Sequence, residues 1–173
     1  MLESLYATIF RPSEVRVSAP AAIAIGLLIA LILALNAAGS TNLGAAGIIG
    51  FTLLFCFAGV LGWYWLTASV HFLAQLLGGQ GSVQGTMKAV AQGLWPLLLT
   101  GPAIAAAQWS ERLGELFSFG ISVGVFVTLV AKVRHTHQLN WLSAILCLAI
   151  TLTLSFLALS GLILWPLMII LGM

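Results

Sequence analysis

The sequence predicts an all-α, polytopic membrane protein whose single domain is a five-helix transmembrane bundle. Two observations predict this class. Of the 173 residues, 61% are hydrophobic and only 6% are charged, whereas an average soluble domain carries about 25% charged residues. Apolar runs also recur along the chain, and each approaches or exceeds the length of about 20 residues that a helix needs to cross a membrane. We therefore expect lipid around most of the surface.

Five apolar segments are the predicted transmembrane helices. The third contains Pro96 and Pro102, and the fifth contains Gly161 and Pro166, so we expect breaks or bends in both. The segments are residues 20–38, 45–66 with an apolar extension to 77, 89–107, 114–131 and 141–171.

A short amphipathic helix is predicted before the first span. In the opening stretch MLESLYATIF, Leu2, Leu5 and Ile9 recur at helical spacing, with polar residues between them. Arg11 precedes Pro12, and the residue before a proline is disfavoured in a helix. We therefore expect a helix that lies in the membrane interface. A disordered tail with chance spacing is the alternative.

The distribution of lysine and arginine predicts which side faces the cytoplasm. If the N-terminus is inside, only Arg112 of the six basic residues falls outside, which is the bias of the positive-inside rule. We therefore place the N-terminus, the loop 78–88 and the connection 132–140 in the cytoplasm, and the C-terminus on the opposite side. The inner basic residues are Arg11, Arg16, Lys88, Lys132 and Arg134.

The sequence contains no motif for catalysis, cofactor binding or metal binding. The chain has no aspartate, which excludes a Ser-His-Asp triad, and it has no G-x-S-x-G run. Zinc sites usually add cysteine or carboxylate ligands, which the three histidines lack nearby. We expect no enzymatic activity, no cofactor and no metal site. The net charge of +2, without a Lys/Arg-rich run, also predicts no nucleic-acid partner.

Charged residues are expected at the ends of the spans rather than at membrane depth. No ionisable residue falls near the middle of a predicted span, which argues against ion-coupled transport. His135 and His137 are expected to join Lys132 and Arg134 in a cationic rim that faces anionic lipid headgroups.

The stretch HFLAQLLGGQGSVQGTMK, residues 71–88, is unusually polar for the middle of this chain. Gly78 and Gly79 are expected to end a helix, because glycine adopts the left-handed conformation without a side-chain clash. The hydroxyl of Ser82 is expected to cap the next helix. His71 and Gln75 are four residues apart and share one helix face. The stretch is interpreted chiefly as a hinge and secondarily as a contact surface.

The run HFLAQLLGGQGSVQGTMKAVAQGLWPLLL, residues 71–99, resembles the signature region of the YIP family of membrane proteins. In that family a histidine-bearing end of the second span precedes Gly-Gly, a serine-containing helix start and a third span with an aromatic-proline step, here Trp95-Pro96. The stretch IFRPSEVRVSAP, residues 9–20, is similar to the family's N-terminal segment. The resemblance implies five spans and a cytoplasmic N-terminus.

The resemblance also implies a non-catalytic adaptor or membrane-organising protein that acts through its cytoplasmic face. Eukaryotic members bind Rab-type GTPases, but this chain lacks their long N-terminal region and is similar to short bacterial members. We therefore expect a bacterial inner membrane and no GTPase partner. The expected partners are membrane lipids, other membrane proteins or further copies of the chain. The predicted contact surface consists of His71, Gln75, Gly78, Gly79, Ser82, Lys88, Lys132, Arg134 and His135.

A passage or scramblase for lipid or a small neutral solute is the alternative function. Prolines in the third and fifth spans would interrupt the helices and open a path. Scattered polar residues would line it, namely Gln92, Thr100, Gln108, Ser118, Ser122 and Thr128.

A GxxxG step in the fourth span predicts close helix packing. Gly120 and Gly124 fall one turn apart, and small residues at this spacing let two helix backbones approach. We expect this contact within the bundle, with a contact between subunits as the alternative.

Overall fold

The computed structural model describes the backbone of residues 44–170, the side chains through Gly161, and the isolated positions Leu28, Leu31, Ile32 and Leu35. Every regular element in this part of the chain is helical. The elements are α1 (Ala45–Leu76), α2 (Val83–Gly93), a 3₁₀ helix (Trp95–Leu99), α3 (Thr100–Trp109), α4 (Glu111–His137) and α5 (Trp141–Ile170).

Four stretches of the described chain are long and apolar enough to cross a membrane. They are Ala45–Leu76, Val83–Trp109, Glu111–His137 and Trp141–Gly161. The all-helical class is thereby confirmed for the described residues, and the four stretches are candidate spans that coincide, with different ends, with the second to fifth predicted ones. The predicted first span, 20–38, lies outside the described residues apart from four positions, and the predicted N-terminal interfacial helix lies outside them entirely.

The third predicted span is broken at Pro96, as the sequence indicates. Pro96 has no N–H to donate to the preceding turn, and α2 ends at Gly93 before a 3₁₀ turn in which Leu97 N donates to Leu94 O at 3.0 Å. The carbonyl of the buried Gly93, left without a backbone donor, lies 2.7 Å from Thr128 Oγ1 of α4, a hydroxyl that is also 2.8 Å from Gly124 O of its own helix. A side chain of the neighbouring helix thus satisfies the group that the break leaves open.

Two other prolines and one glycine leave their helices uninterrupted. Pro102 falls in the first turn of α3, where a missing N–H costs little. Gly161 and Pro166 both lie within α5, which runs without interruption from Trp141 to Ile170. The fifth span is therefore not broken at these residues, and the bend predicted there stays a prediction.

The buried core lies toward one end of the bundle, where α1 ends and α4 meets α5. Helices α1, α4 and α5 all contribute to it, and the rest of α1 exposes large apolar side chains such as Leu53 and Phe57. Lipid explains this outward apolar surface, because hydrocarbon solvates such side chains as well as a protein core does. The core residues are Val70, Ala74, Leu129, Val130, Val133, Leu139, Ala144, Cys147 and Leu148.

Candidate functional site

Three side chains from three helices meet at the core end of the bundle. The hydroxyl Oγ1 of Thr86 (α2) lies 2.8 Å from Nε2 of His137 (α4) and 3.1 Å from Nδ1 of His71 (α1). The same hydroxyl lies 3.0 Å from the carbonyl oxygen of Ser82. We call His71, Thr86 and His137 the histidine junction. It ties the ends of α1 and α4 to the start of α2.

The hydroxyl of Thr86 is shared by three neighbours. It carries a single hydrogen, which it donates to one of them, while its lone pairs accept from the others. The second ring nitrogen of His137, Nδ1, is buried and has no hydrogen-bond partner among the described residues.

The glycine-rich turn 78–82 wraps closely around His137. The amide of Gln80 donates to His137 O at 3.1 Å. A Cβ added to Gly81 would come within 2.7 Å of His137 Nδ1 and 2.8 Å of Thr136 O, and one added to Gly79 would lie 2.9 Å from His137 Cβ. No real side chain fits at such distances. Glycine is therefore required at both positions so that the turn can close on the histidine.

The local signals predicted for this turn are confirmed. Gly78 has a φ of +86°, and the amide of Gly79 donates to Ala74 O at 2.8 Å, which is the hydrogen bond of a Schellman helix end. Ser82 Oγ accepts from the amide of Gly85 at 3.1 Å, so Ser82 is the cap of α2. Helix stop and helix start both depend only on residues within a few positions.

The predicted cationic rim is wrong for two of its four members. His137 is 0% exposed and Lys132 is 5% exposed. The cause is that α4 continues to His137, beyond the predicted end at 131, and packs this stretch against α2. Lys132 Nζ donates to Gln92 Oε1 at 2.8 Å. The ammonium thus lies between α2 and α4, and Lys132, which was predicted to belong to the contact surface, is buried.

The remaining members of the predicted contact surface lie at the same end of the molecule. His71 and Gly79 are half-buried. The exposed members are Gln75, Gly78, Ser82, Lys88, Arg134 and His135. We call these six residues the polar end.

The described residues contain no group of three or more His, Cys, Asp or Glu that could hold a metal ion.

Arg134 of the polar end makes a cation–π contact with Trp141. Its guanidinium carbon lies 4.6 Å from the centroid of the indole ring, within the range of such contacts. Trp141 is the first residue of α5 and is 52% exposed. The sequence predicts a charge at Arg134 but not its pairing with Trp141 across the α4–α5 connection.

The GxxxG step makes one contact rather than a continuous interface. A Cβ at Gly124 would lie 3.6 Å from Pro96 Cβ, an ordinary packing distance, whereas Gly120 is exposed and meets nothing within 4 Å. The close helix contact is at Gly93, where an added Cβ would lie 2.4 Å from Leu129 Cδ2. The predicted packing role of Gly120 therefore finds no contact among the described residues.

Comparison with known proteins gives one match. A family model, the Yip1 domain, matches residues 6–163. Neither a curated protein sequence nor a solved structure matches the chain. The matched range takes in α1 to α4 and most of α5, and the four apolar helices fit a protein that crosses the membrane. The resemblance seen in residues 71–99 is thereby confirmed, and the chain belongs to the Yip1 domain family of membrane proteins.

Proposed function

We propose that this protein is a non-catalytic membrane adaptor or organising component that binds another membrane protein through the polar end. The observation that carries the proposal is the histidine junction, because it joins the 71–88 turn to the end of α4 in one unit. Thr86 Oγ1 reaches His71 and His137 at 3.1 Å and 2.8 Å. A recognition surface held in this way loses little conformational freedom when a partner binds.

The chemistry of the polar end suits a polar protein contact. Its exposed members carry amide, hydroxyl, imidazole, ammonium and guanidinium groups. The described carboxylates, Glu111 and Glu115, belong to the first turns of α4, at the other end of that helix. A complementary partner would present hydrogen-bond acceptors or negative charge. The positive-inside bias supports placing this end in the cytoplasm, with a bacterial inner membrane as the proposed location.

Co-purification from native lipid nanodiscs tests the proposal. The tag would be at the C-terminus, which is predicted to lie opposite the polar end. We expect a protein partner at fixed stoichiometry that is lost in a Gln75→Ala/Lys88→Ala double variant, since both side chains are exposed and neither has a role in the junction. The matched control is Gln108→Ala/Arg112→Ala, which removes an amide and a cation at the opposite end.

The outcome also separates the adaptor from the alternative passage function. A partner that survives the polar-end substitutions, or no partner at all, would count against the adaptor. Flux or lipid scrambling in proteoliposomes above the rate of empty vesicles would favour the passage. Several hydroxyls proposed to line the passage already donate to backbone carbonyls, as Ser122 Oγ does to Ser118 O at 2.9 Å. These contacts do not support the passage, so its test is the proteoliposome assay.

A further inference from the structure

We propose that the corner between α4 and α5 is a binding site for the phosphate of an anionic phospholipid, with Arg134 as the phosphate ligand and Trp141 as the platform that orients it. This site goes beyond the adaptor function and does not depend on it. The proposal rests on four features. They are the contact between Arg134 and Trp141, the hydrogen bonds of the connection between α4 and α5, the apolar face of α5 next to Trp141, and the charges near the connection.

The contact with Trp141 leaves the guanidinium able to bind an anion. Arg134 is exposed and its Cζ lies 4.6 Å from the centre of the Trp141 ring. A guanidinium carries five N–H donors in one plane, and two of them match the spacing of two phosphate oxygens. Because the cation–π contact already restricts the side chain, a bidentate phosphate contact loses less further entropy.

The backbone of the corner holds the two residues in register. Gln138 adopts a left-handed φ of 56°, and the amide of Leu139 donates back to Arg134 O at 3.0 Å. Asn140 Oδ1 then accepts from the amide of Ser143 at 2.7 Å, which caps α5. The short connection is thus closed by hydrogen bonds on both sides. Arg134 and Trp141 do not depend on a flexible loop for their contact.

The surface below the pair fits lipid chains. Trp141 is followed by the exposed apolar side chains Leu142 and Ile145, and Ile145 shares the helix face of Trp141 one turn deeper. Tryptophan is enriched at the level of lipid headgroups. A lipid whose phosphate contacts Arg134 would therefore run its acyl chains along α5. A soluble acidic protein would not use this face, which favours a lipid as the occupant.

The charge around the corner selects an anionic lipid. His135 and Lys88 are exposed at the same end. Glu115, the nearest described carboxylate along α4, is 19 residues from Arg134, or about 28 Å at the helical rise. Local positive charge without a nearby described carboxylate favours a headgroup with net negative charge, such as phosphatidylglycerol, over a zwitterionic one.

Native mass spectrometry of the purified protein in a nonionic detergent tests the site. Equal amounts of phosphatidylglycerol and phosphatidylcholine would be added, and bound lipid measured. We expect preferential retention of phosphatidylglycerol and a loss of about fivefold in its affinity in Arg134→Gln, because one basic residue near a membrane surface contributes about this much. Trp141→Leu should weaken retention less, since the charge remains and only its orientation is lost. Arg112→Gln is the matched control and should change little.

Three outcomes would overturn the proposal. Equal retention of the two lipids would show that the site does not select an anionic headgroup over a zwitterionic one. Equal losses in Arg134→Gln and Arg112→Gln would show a general effect of net charge rather than a site. Full competition by millimolar inorganic phosphate would identify a phosphate site without lipid specificity. Circular dichroism of each variant in the same detergent would confirm that the helices are intact, so that lost retention reports on the site.

Discussion

The two ends of α1 differ in what surrounds them. From Val70 onward one face of the helix enters the core and the histidine junction, where Val70 and Ala74 are fully buried, while Phe72 and Leu76 on its other face stay exposed. Earlier in the same helix Leu53, Phe57 and Leu61 are exposed. One helix thus passes from a stretch with large exposed apolar side chains to a stretch with one face packed against the other helices. The comparison indicates that the identity of individual side chains matters most near the histidine junction. The earlier stretch of α1 mainly has to be apolar.

The largest expected effect on stability comes from adding a methyl group to a glycine that packs against the histidine junction. Gly81→Ala should lower the free energy of unfolding by about 2–3 kcal/mol, because an added methyl overlaps His137 and a backbone carbonyl that cannot move independently. Gly59→Ala in the exposed stretch of α1 has nothing within 4 Å and should be neutral or stabilising by about 0.5–1 kcal/mol. Denaturation by SDS in mixed micelles measures both. Similar effects at the two positions would contradict the comparison.

The next effect concerns pH. A charged His137 would place an N–H at Nδ1, which is buried and has no hydrogen-bond partner among the described residues, so we expect the ring to be neutral in the folded protein. The unfolded chain therefore binds more protons near pH 6, so that stability rises with pH. We expect the unfolding free energy to fall by up to about 1 kcal/mol as the pH drops from 6.5 to 5.5, which is the most that one histidine with an ordinary pKa in the unfolded chain contributes over this range.

Melting in a nonionic detergent at several pH values measures this dependence. His137→Gln should flatten it, because an amide does not titrate in this range. His135→Gln is the control, since His135 is exposed and its removal should leave the slope unchanged. If the stability of His137→Gln still depends on pH in the same way, another group causes the effect.

An effect of similar size is expected at the break in the span Val83–Trp109. Thr128→Val keeps the shape of the side chain but removes the hydrogen bond to Gly93 O, leaving a carbonyl unsatisfied. We expect a loss of about 1–2 kcal/mol. Thr153 on the exposed side of α5 bonds only to Ala149 O of its own helix at 2.9 Å, so Thr153→Val should change stability far less. Equal losses would mean that the broken span does not depend on Thr128.

The smallest expected effect is a gain. Gln138 adopts a left-handed conformation that favours glycine. Gln138→Gly should therefore stabilise the protein by about 0.5–1 kcal/mol, the strain relieved minus the added freedom of the unfolded chain. The change in SDS unfolding midpoint measures it. A loss of stability would show that the Gln138 side chain makes a contribution greater than its backbone strain.

Local features of this fold could be predicted from the sequence, and distant contacts could not. Gly78 and Ser82 were identified because a helix end depends on residues within a few positions. His137 was misplaced on the surface because its neighbours come from the 71–86 region, and its bond to Thr86 joins residues 51 positions apart. The spacing of Gly79 and Gly81 was the one available signal, since glycines in addition to Gly78, which has the left-handed backbone, suggest a close neighbour.

The position of each charge along the chain could likewise be predicted, but whether its side chain is buried or exposed could not. Lys132 and Arg134 differ by two residues and have the same charge, yet Lys132 is buried against Gln92 and Arg134 is exposed. A shift of two residues rotates a side chain by roughly 200° around a helix, so neighbouring charges fall on opposite faces. Which face is inward depends on where α2 packs, and hydropathy does not contain that information.

The histidine junction has a consequence for the order in which the protein is assembled during synthesis. Thr86 and the glycine-rich turn are made well before His137, the last residue of α4. Until that helix is in the bilayer, Thr86 lacks the His137 hydrogen bond and the turn lacks the ring on which it closes. The polar end is therefore completed late, after the fourth predicted span has been inserted, and a chain interrupted earlier would present an unfinished surface to any partner.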